Sequence, residues 1–183
     1  MDDIFLTPEK SERKKATTSN KKTVVREIIT KAICGSDHKN FLYSCDIEFS
    51  QNFIPTQILG TSITGFELNP ATVEAYNAQK PIVTVTGSFD VNVWFSYNNG
   101  RDTEIAKEVV EFTEEIEIEE YDQAALNELE ARAVLTKTPQ CKGAVIQNNN
   151  TIKVDVEFSI YTEVVGETKI KVQCYKSGYE EEH

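Results

Sequence analysis

The sequence predicts an all-β protein, an antiparallel β-sandwich with at most one short helix. Three observations carry that prediction. Apolar and polar residues alternate over several segments, the period of two that a half-buried strand requires. Turn-forming residues recur between those segments, as at Asn98-Asn99-Gly100. Only Asp122 to Glu130 has the composition of a helix, with Asp122 placed to cap its start.

Taken in order, the first 22 residues contain SERKKATTSNKK, a run with too little apolar surface to offset the entropy of ordering. They are expected to form a flexible basic arm, followed by a sandwich domain over 23–175 and a short acidic tail over 176–183. Val24 to Cys34 and Phe41 to Phe49 are rich in β-branched and aromatic residues and flank Gly35-Ser36-Asp37-His38, which predicts a hairpin with its turn at that cluster. Ile54 to Phe66 carries Pro55, Gly60 and Gly65, residues suited to bends, bulges or an edge strand, in a segment that changes direction or crosses between sheets.

The clearest strand comes next. Val83, Val85, Phe89, Val91, Val93, Phe95 and Tyr97 alternate with Thr84, Thr86, Ser88, Asp90, Asn92 and Ser96, with Gly87 as a candidate bulge. Asn98-Asn99-Gly100 tolerates the positive φ of a tight hairpin, and Thr103 to Phe112 returns with an apparent change of phase between Ile105 and Val110. In Glu115-Ile116-Glu117-Ile118-Glu119 a strand separates charge from apolar side chains where a helix would mix them. The 122–130 segment reads either as the short helix or, through Ala133, as the start of another strand. Finally Ile152, Val154, Val156, Phe158 and Ile160 alternate with polar residues, and Gly166-Glu167 precedes a run carrying Ile170, Val172 and Cys174, which predicts a terminal hairpin.

At 183 residues the chain suffices for one domain with a substantial core. A net charge of −11 disfavours nucleic-acid binding, because phosphate backbones attract clustered Lys and Arg. No apolar run approaches the length that crosses a bilayer, so membrane insertion is not expected. MDDIFLTPEKSERKK lacks the apolar core of a secretory signal, which points to synthesis and residence inside a cell. Cys34, Cys45, Cys141 and Cys174 include no CxxC pair and predict no zinc site. A Cys34–Cys45 bridge is conceivable only if their segments pair as a hairpin, and reduced buried thiols are the commoner state inside cells.

No catalytic constellation is legible. The two histidines, His38 in an expected turn and His183 at the end of the sequence, make no persuasive general base. Carboxylates crowd Glu104 to Glu130, but Glu115, Glu117 and Glu119 share one strand face that reads as solvated, discouraging edge pairing. Asn98 to Asp102 and Gln147 to Thr151 lack EF-hand spacing, and the scattered glycines build no phosphate cradle, so no metal or cofactor is expected. Two aromatic residues break the pattern: Trp94 and Tyr161 fall on the polar, outward phase of the two best strands. They are the candidate partner-interface residues, weighed against simple packing beneath a neighbouring loop.

Three segments, REIITKA (Arg26 to Ala32), FDVNVWFSY (Phe89 to Tyr97) and EVVGETK (Glu163 to Lys169), closely resemble the outer spore coat protein E family in composition, order and spacing. The resemblance covers roughly Val24 to Cys174, including LTKTPQC before the expected last hairpin. It implies a non-enzymatic morphogenetic scaffold of endospore-forming bacteria, made in the mother-cell cytoplasm, that self-associates around the forespore and remains in the spore coat. The implied partners are further copies of itself, a basal coat layer built on an ATPase-type morphogenetic protein, and other spore coat proteins whose outer assembly it directs. Relative to longer family forms the sequence adds the basic arm and ends in YKSGYEEEH in place of an extended acidic tail. The alternative from another class is a carbohydrate-binding β-sandwich, its outward aromatics stacking on sugar rings.

Overall fold

The computed structural model describes residues 23–49, 53–75, 80–122, 128–148 and 150–175. Seven strands run through them: β1 (Thr23–Glu48), β2 (Gln57–Leu68), β3 (Thr72–Glu74), β4 (Ile82–Tyr97), β5 (Asp102–Glu117), β6 (Glu130–Asn148) and β7 (Thr151–Tyr175). No helix occurs among the described residues. The expected arm and tail, and residues 123–127 of the candidate helix, lie outside them.

The strands form two sheets, as the alternating pattern requires. Sheet A has the order β1-β7-β6, and sheet B is built on β4, with β5 along one side and β2 and β3 along the other. In sheet A, Thr162, Ser159 and Asp155 of β7 meet Asp37, Asn40 and Ser44 of β1 through hydrogen bonds in reversed order, so these strands too are antiparallel. Residues 29–170 form one compact unit. The described parts of 1–28 and 171–183 belong to a second, in which Lys171 Nζ lies 3.9 Å from a Glu27 carboxylate oxygen.

Alternation makes the core of the larger unit. The odd residues of β4, among them Val83, Val85, Phe89, Val91, Val93 and Phe95, and the even residues of β7 from Ile152 to Ile160 point inward and are almost wholly buried. Phe158 is the hub: its ring centroid lies 5.1–6.0 Å from those of Phe41, Tyr43, Phe66, Phe89 and Phe112, so both sheets contribute to one aromatic cluster. Truncating such a side chain to Ala costs about 3–5 kcal/mol. Beside β5, Tyr43 donates its hydroxyl hydrogen bond to Glu114, and burial, together with that carboxylate, raises the phenol pKa.

Several sequence expectations are corrected. The turn cluster Gly35 to His38 makes no hairpin, because β1 is continuous through it. Gly35 serves a crossing instead: it bridges Tyr121, Asp122 N–H donates to Cys34 O at 2.7 Å, and a Cβ at 35 would lie 2.7 Å from Glu120 O. Cys34 and Cys45, on one extended strand, are therefore separated by eleven rises of about 3.3 Å, roughly 36 Å, far beyond a disulfide's reach. β7 likewise continues through Gly166-Glu167, where Gly166 is buried within the strand, and the hairpin at that end is β6–β7, closed at the Asn148–Thr151 pair.

Gly87 is no bulge either. It pairs in register with Phe112, and it is small because a Cβ there would sit 2.4 Å from Glu67 O and 2.6 Å from the Phe112 ring. In sheet B the bulges fall in the glycine-bearing edge strand β2, between Ile58 and Gly60 and between Thr64 and Glu67, where Gly65 takes φ of 60°. β5 shows no change of phase: Asp102 to Glu117 pairs residue for residue with β4, so Ile105 and Val109 simply face outward. The Asn98-Asn99 turn is as expected, with φ of 51° and 55°. β6 takes the strand alternative, starting at Glu130 and running through Ala133.

Candidate functional site

The outward side chains of β4 and β7 lie on opposite faces of the sandwich, so Trp94 and Tyr161 belong to two separate surfaces. On sheet B, register sets Gly60, Trp94 and Ile105 side by side across β2, β4 and β5. Trp94 is 48% exposed and Ile105 63%, with Leu59 and Val109 also exposed nearby. Without a side chain at Gly60, a hollow of about 230 Å³ opens beside the indole, lined by Gly60, Thr61, Ser62, Asn92, Trp94 and Ile105. The Asn92 amide donates to Thr64 Oγ1 at 3.0 Å, and Asp90 is held by Lys107 at 2.7 Å, which leaves this part of the face electrically neutral.

The outer face of sheet A is built differently. Glu157 on β7 is gripped by Lys137 at 2.5 Å and Lys142 at 3.2 Å, hydrogen bonds that hold its carboxyl below the ordinary carboxylate range. Arg132 lies 3.5 Å from Glu163, Ser44 donates to Asp155, and Ser159 donates to Asn40. Tyr161 is half-buried in this polar lattice opposite Val134, while His38 Nε2 and Thr136 Oγ1 stand 2.8 Å apart. His38 is thus a strand residue engaged with a threonine, not a turn residue.

The Glu115–Glu119 carboxylates are exposed as expected, with Ile116 and Ile118 buried between them. Lys80 reaches both Glu117 and Glu119, and its hydrogen bond lowers the Glu119 pKa. Among the described residues no group of three or more His, Cys, Asp or Glu could hold a metal ion. Cys45 has its thiol pKa raised, by burial first and then by Glu108 and Asp46. A larger groove, about 790 Å³, runs between β6 and the β2–β3 connection and is lined mainly by apolar residues such as Phe66, Leu68, Pro70, Ala133 and Leu135. No helix among the described residues is long and apolar enough to cross a membrane.

Sequence reasoning missed Ile105, taking its position for a break in phase. The signal was present: a turn at 98–101 that pairs Tyr97 with Asp102 also pairs Trp94 with Ile105.

Fold and surfaces together define an all-β sandwich whose prominent features are two differently surfaced sheet faces and an apolar groove between strands. Residues 24–183 match the family model of Outer spore coat protein E (CotE), and the chain belongs to that family. It is therefore a spore coat protein, from a structural family that is not a known enzyme family. No curated protein and no solved structure matches the chain.

Proposed function

We propose that this protein is a non-enzymatic morphogenetic scaffold that is made in the mother-cell cytoplasm, self-assembles around the forespore and directs assembly of the outer coat. The observation that carries this reading is the outward apolar stripe of Trp94 and Ile105 on a family member of net charge −11. Exposed aromatic and aliphatic side chains on a rigid sheet favour association, because their burial returns free energy with little loss of conformational entropy. Weak contacts repeated over a layer then add up by avidity. The partners on this reading are further copies of the chain, the basal coat layer and other coat proteins. The sandwich over 23–175 supplies the body, flanked by a basic arm over 1–22 and a short acidic tail over 176–183.

A fluorescent fusion in sporulating cells tests it: the protein should encircle the forespore, and diffuse fluorescence throughout the mother cell would reject the scaffold role. A carbohydrate-binding reading draws on the exposed indole beside its hollow. It is weaker, because the Asn92 amide nitrogen that would donate to a sugar is already engaged with Thr64 Oγ1 and Ser62 O.

A further inference from the structure

Every copy of this chain carries 30 acidic residues against 19 basic ones, so two copies repel wherever their acidic surfaces meet. The surface around Trp94 is an exception. Near Trp94 the outward residues of β4, Asp90, Asn92 and Trp94, include one charged side chain, Asp90, which Lys107 of β5 neutralises at 2.7 Å. Farther along the same face, by contrast, Glu67 and Glu111 are exposed beside Ser88, and Glu115 beside Thr84. Beside Trp94, Asn92 and Asp90, on β2, lie Gly60, Ser62 and Thr64, all uncharged. The same surface holds both a projection and a recess: Trp94 and Ile105 stand out, and the hollow over Gly60, about 230 Å³, lies beside them. A surface that carries its own knob and its own hole can pack on a copy of itself about a two-fold axis.

We propose that the Trp94 end of the outer face of sheet B is a self-docking surface, on which two copies of this chain meet about a two-fold axis, each presenting Trp94 and Ile105 to the hollow over the other's Gly60. The proposal rests on the self-assembly reading and names the surface that begins it. It also separates the two aromatic candidates: Tyr161, half-buried among paired charges and hydroxyls on sheet A, takes no part in this contact. Sheets stacked face to face stand about 10 Å apart, the distance that interdigitated Trp and Ile side chains fill.

Trp94 is the sole tryptophan of the sequence, so its fluorescence reports this surface alone. Sedimentation equilibrium of the full chain, with the emission spectrum and acrylamide quenching followed over the same concentrations, is the test. The expected first associated species is a dimer, and its formation should shift the emission to shorter wavelength and reduce quenching. Trp94→Ala, with far-ultraviolet circular dichroism unchanged, should weaken association by about 30-fold or more. Ile105→Glu keeps the probe and should abolish both the dimer and the shift, whereas Tyr161→Ala should leave both in place.

Association with unchanged emission and quenching, or undiminished in Ile105→Glu, would overturn this surface while leaving self-assembly standing. A wild-type chain that stays monomeric at every concentration would overturn both. A blue shift produced in the monomer by cello- or chito-oligosaccharides, with no dimer at any protein concentration, would overturn the proposal in favour of a sugar site.

Discussion

The two sheets solve opposite surface problems with the same alternation. Sheet A spends many of its outward positions on charges and hydroxyls that satisfy one another across strands, as Lys137, Lys142 and Glu157 do, with the exposed Val134 and Val145 set among them. Sheet B leaves a neutral patch around Trp94, where the polar neighbours are engaged with each other, Asn92 with Thr64 and Lys107 with Asp90. Paired surface charges contribute little stability and keep a face solvated. An apolar stripe whose neighbouring charges are already paired costs less to desolvate than one flanked by isolated charges. The difference teaches that outward phase alone does not mark an interface: Trp94 and Tyr161 share that phase, yet their neighbours give them different prospects.

The largest expected effect comes from altering the sheet that carries the stripe. Gly87→Ala places a Cβ against Glu67 O and the Phe112 ring, and should destabilise the fold by at least about 2 kcal/mol in urea unfolding. A loss smaller than about 0.5 kcal/mol would mean that sheet B yields easily and that its register does not fix the stripe.

Salt sharpens the comparison next. If copies meet through the neutral face, raising sodium chloride from about 0.05 to about 0.5 M should strengthen association several-fold, because it screens the repulsion of two acidic chains. Ion pairs across the sheet A face would give the reverse, and weakening with salt in light scattering would assign assembly to that face.

Glu157→Gln has a smaller effect. The folded carboxyl is held below its unfolded range by Lys137 and Lys142, so its contribution is present at neutral pH and is lost as pH falls through the carboxylate range. The variant should show a flatter acid limb in stability against pH, with self-association unchanged. An acid limb identical to that of the parent protein would show that the lysine contacts contribute no pH-dependent stability.

Smallest of all is Gly143→Ala in β6, where an added Cβ meets nothing within 4 Å. The unfolding midpoint should move by no more than about 0.5 kcal/mol equivalent. A larger loss would mean that sheet A is as tightly constrained at its edge as sheet B is at Gly87.

Much of this was legible in the residues. The inward sets of β4 and β7 followed from alternation, because each is a central strand with one face toward the core. Asn98-Asn99 announced its turn through the rarity of positive φ outside Gly and Asn. What failed were the glycines. Gly35 and Gly87 look like local breaks in sequence, but each is small for a distant reason: Ile118 to Tyr121 crosses at one, and the Glu67 carbonyl approaches the other. Contacts between segments so far apart leave no period or spacing to read. The stripe at Ile105 was misread because an apolar residue in the outward phase looks like a slip of register when the partner surface is unknown.

The sheet order also carries a consequence in time. β2, β3, β4 and β5 all lie between Gln57 and Glu117, so the described strands of sheet B are all made before β6 and β7 begin, the central hairpin closed by a four-residue turn. β1 is made before any of them, yet its neighbour in the sheet is β7, the last of the seven described strands. Closing that pairing spans more than a hundred residues, the long-range contact that slows folding most. The earliest of the described strands is therefore the one that waits longest for its place, and the Phe158 ring that fills the centre of the sandwich arrives with the strand that ends the wait.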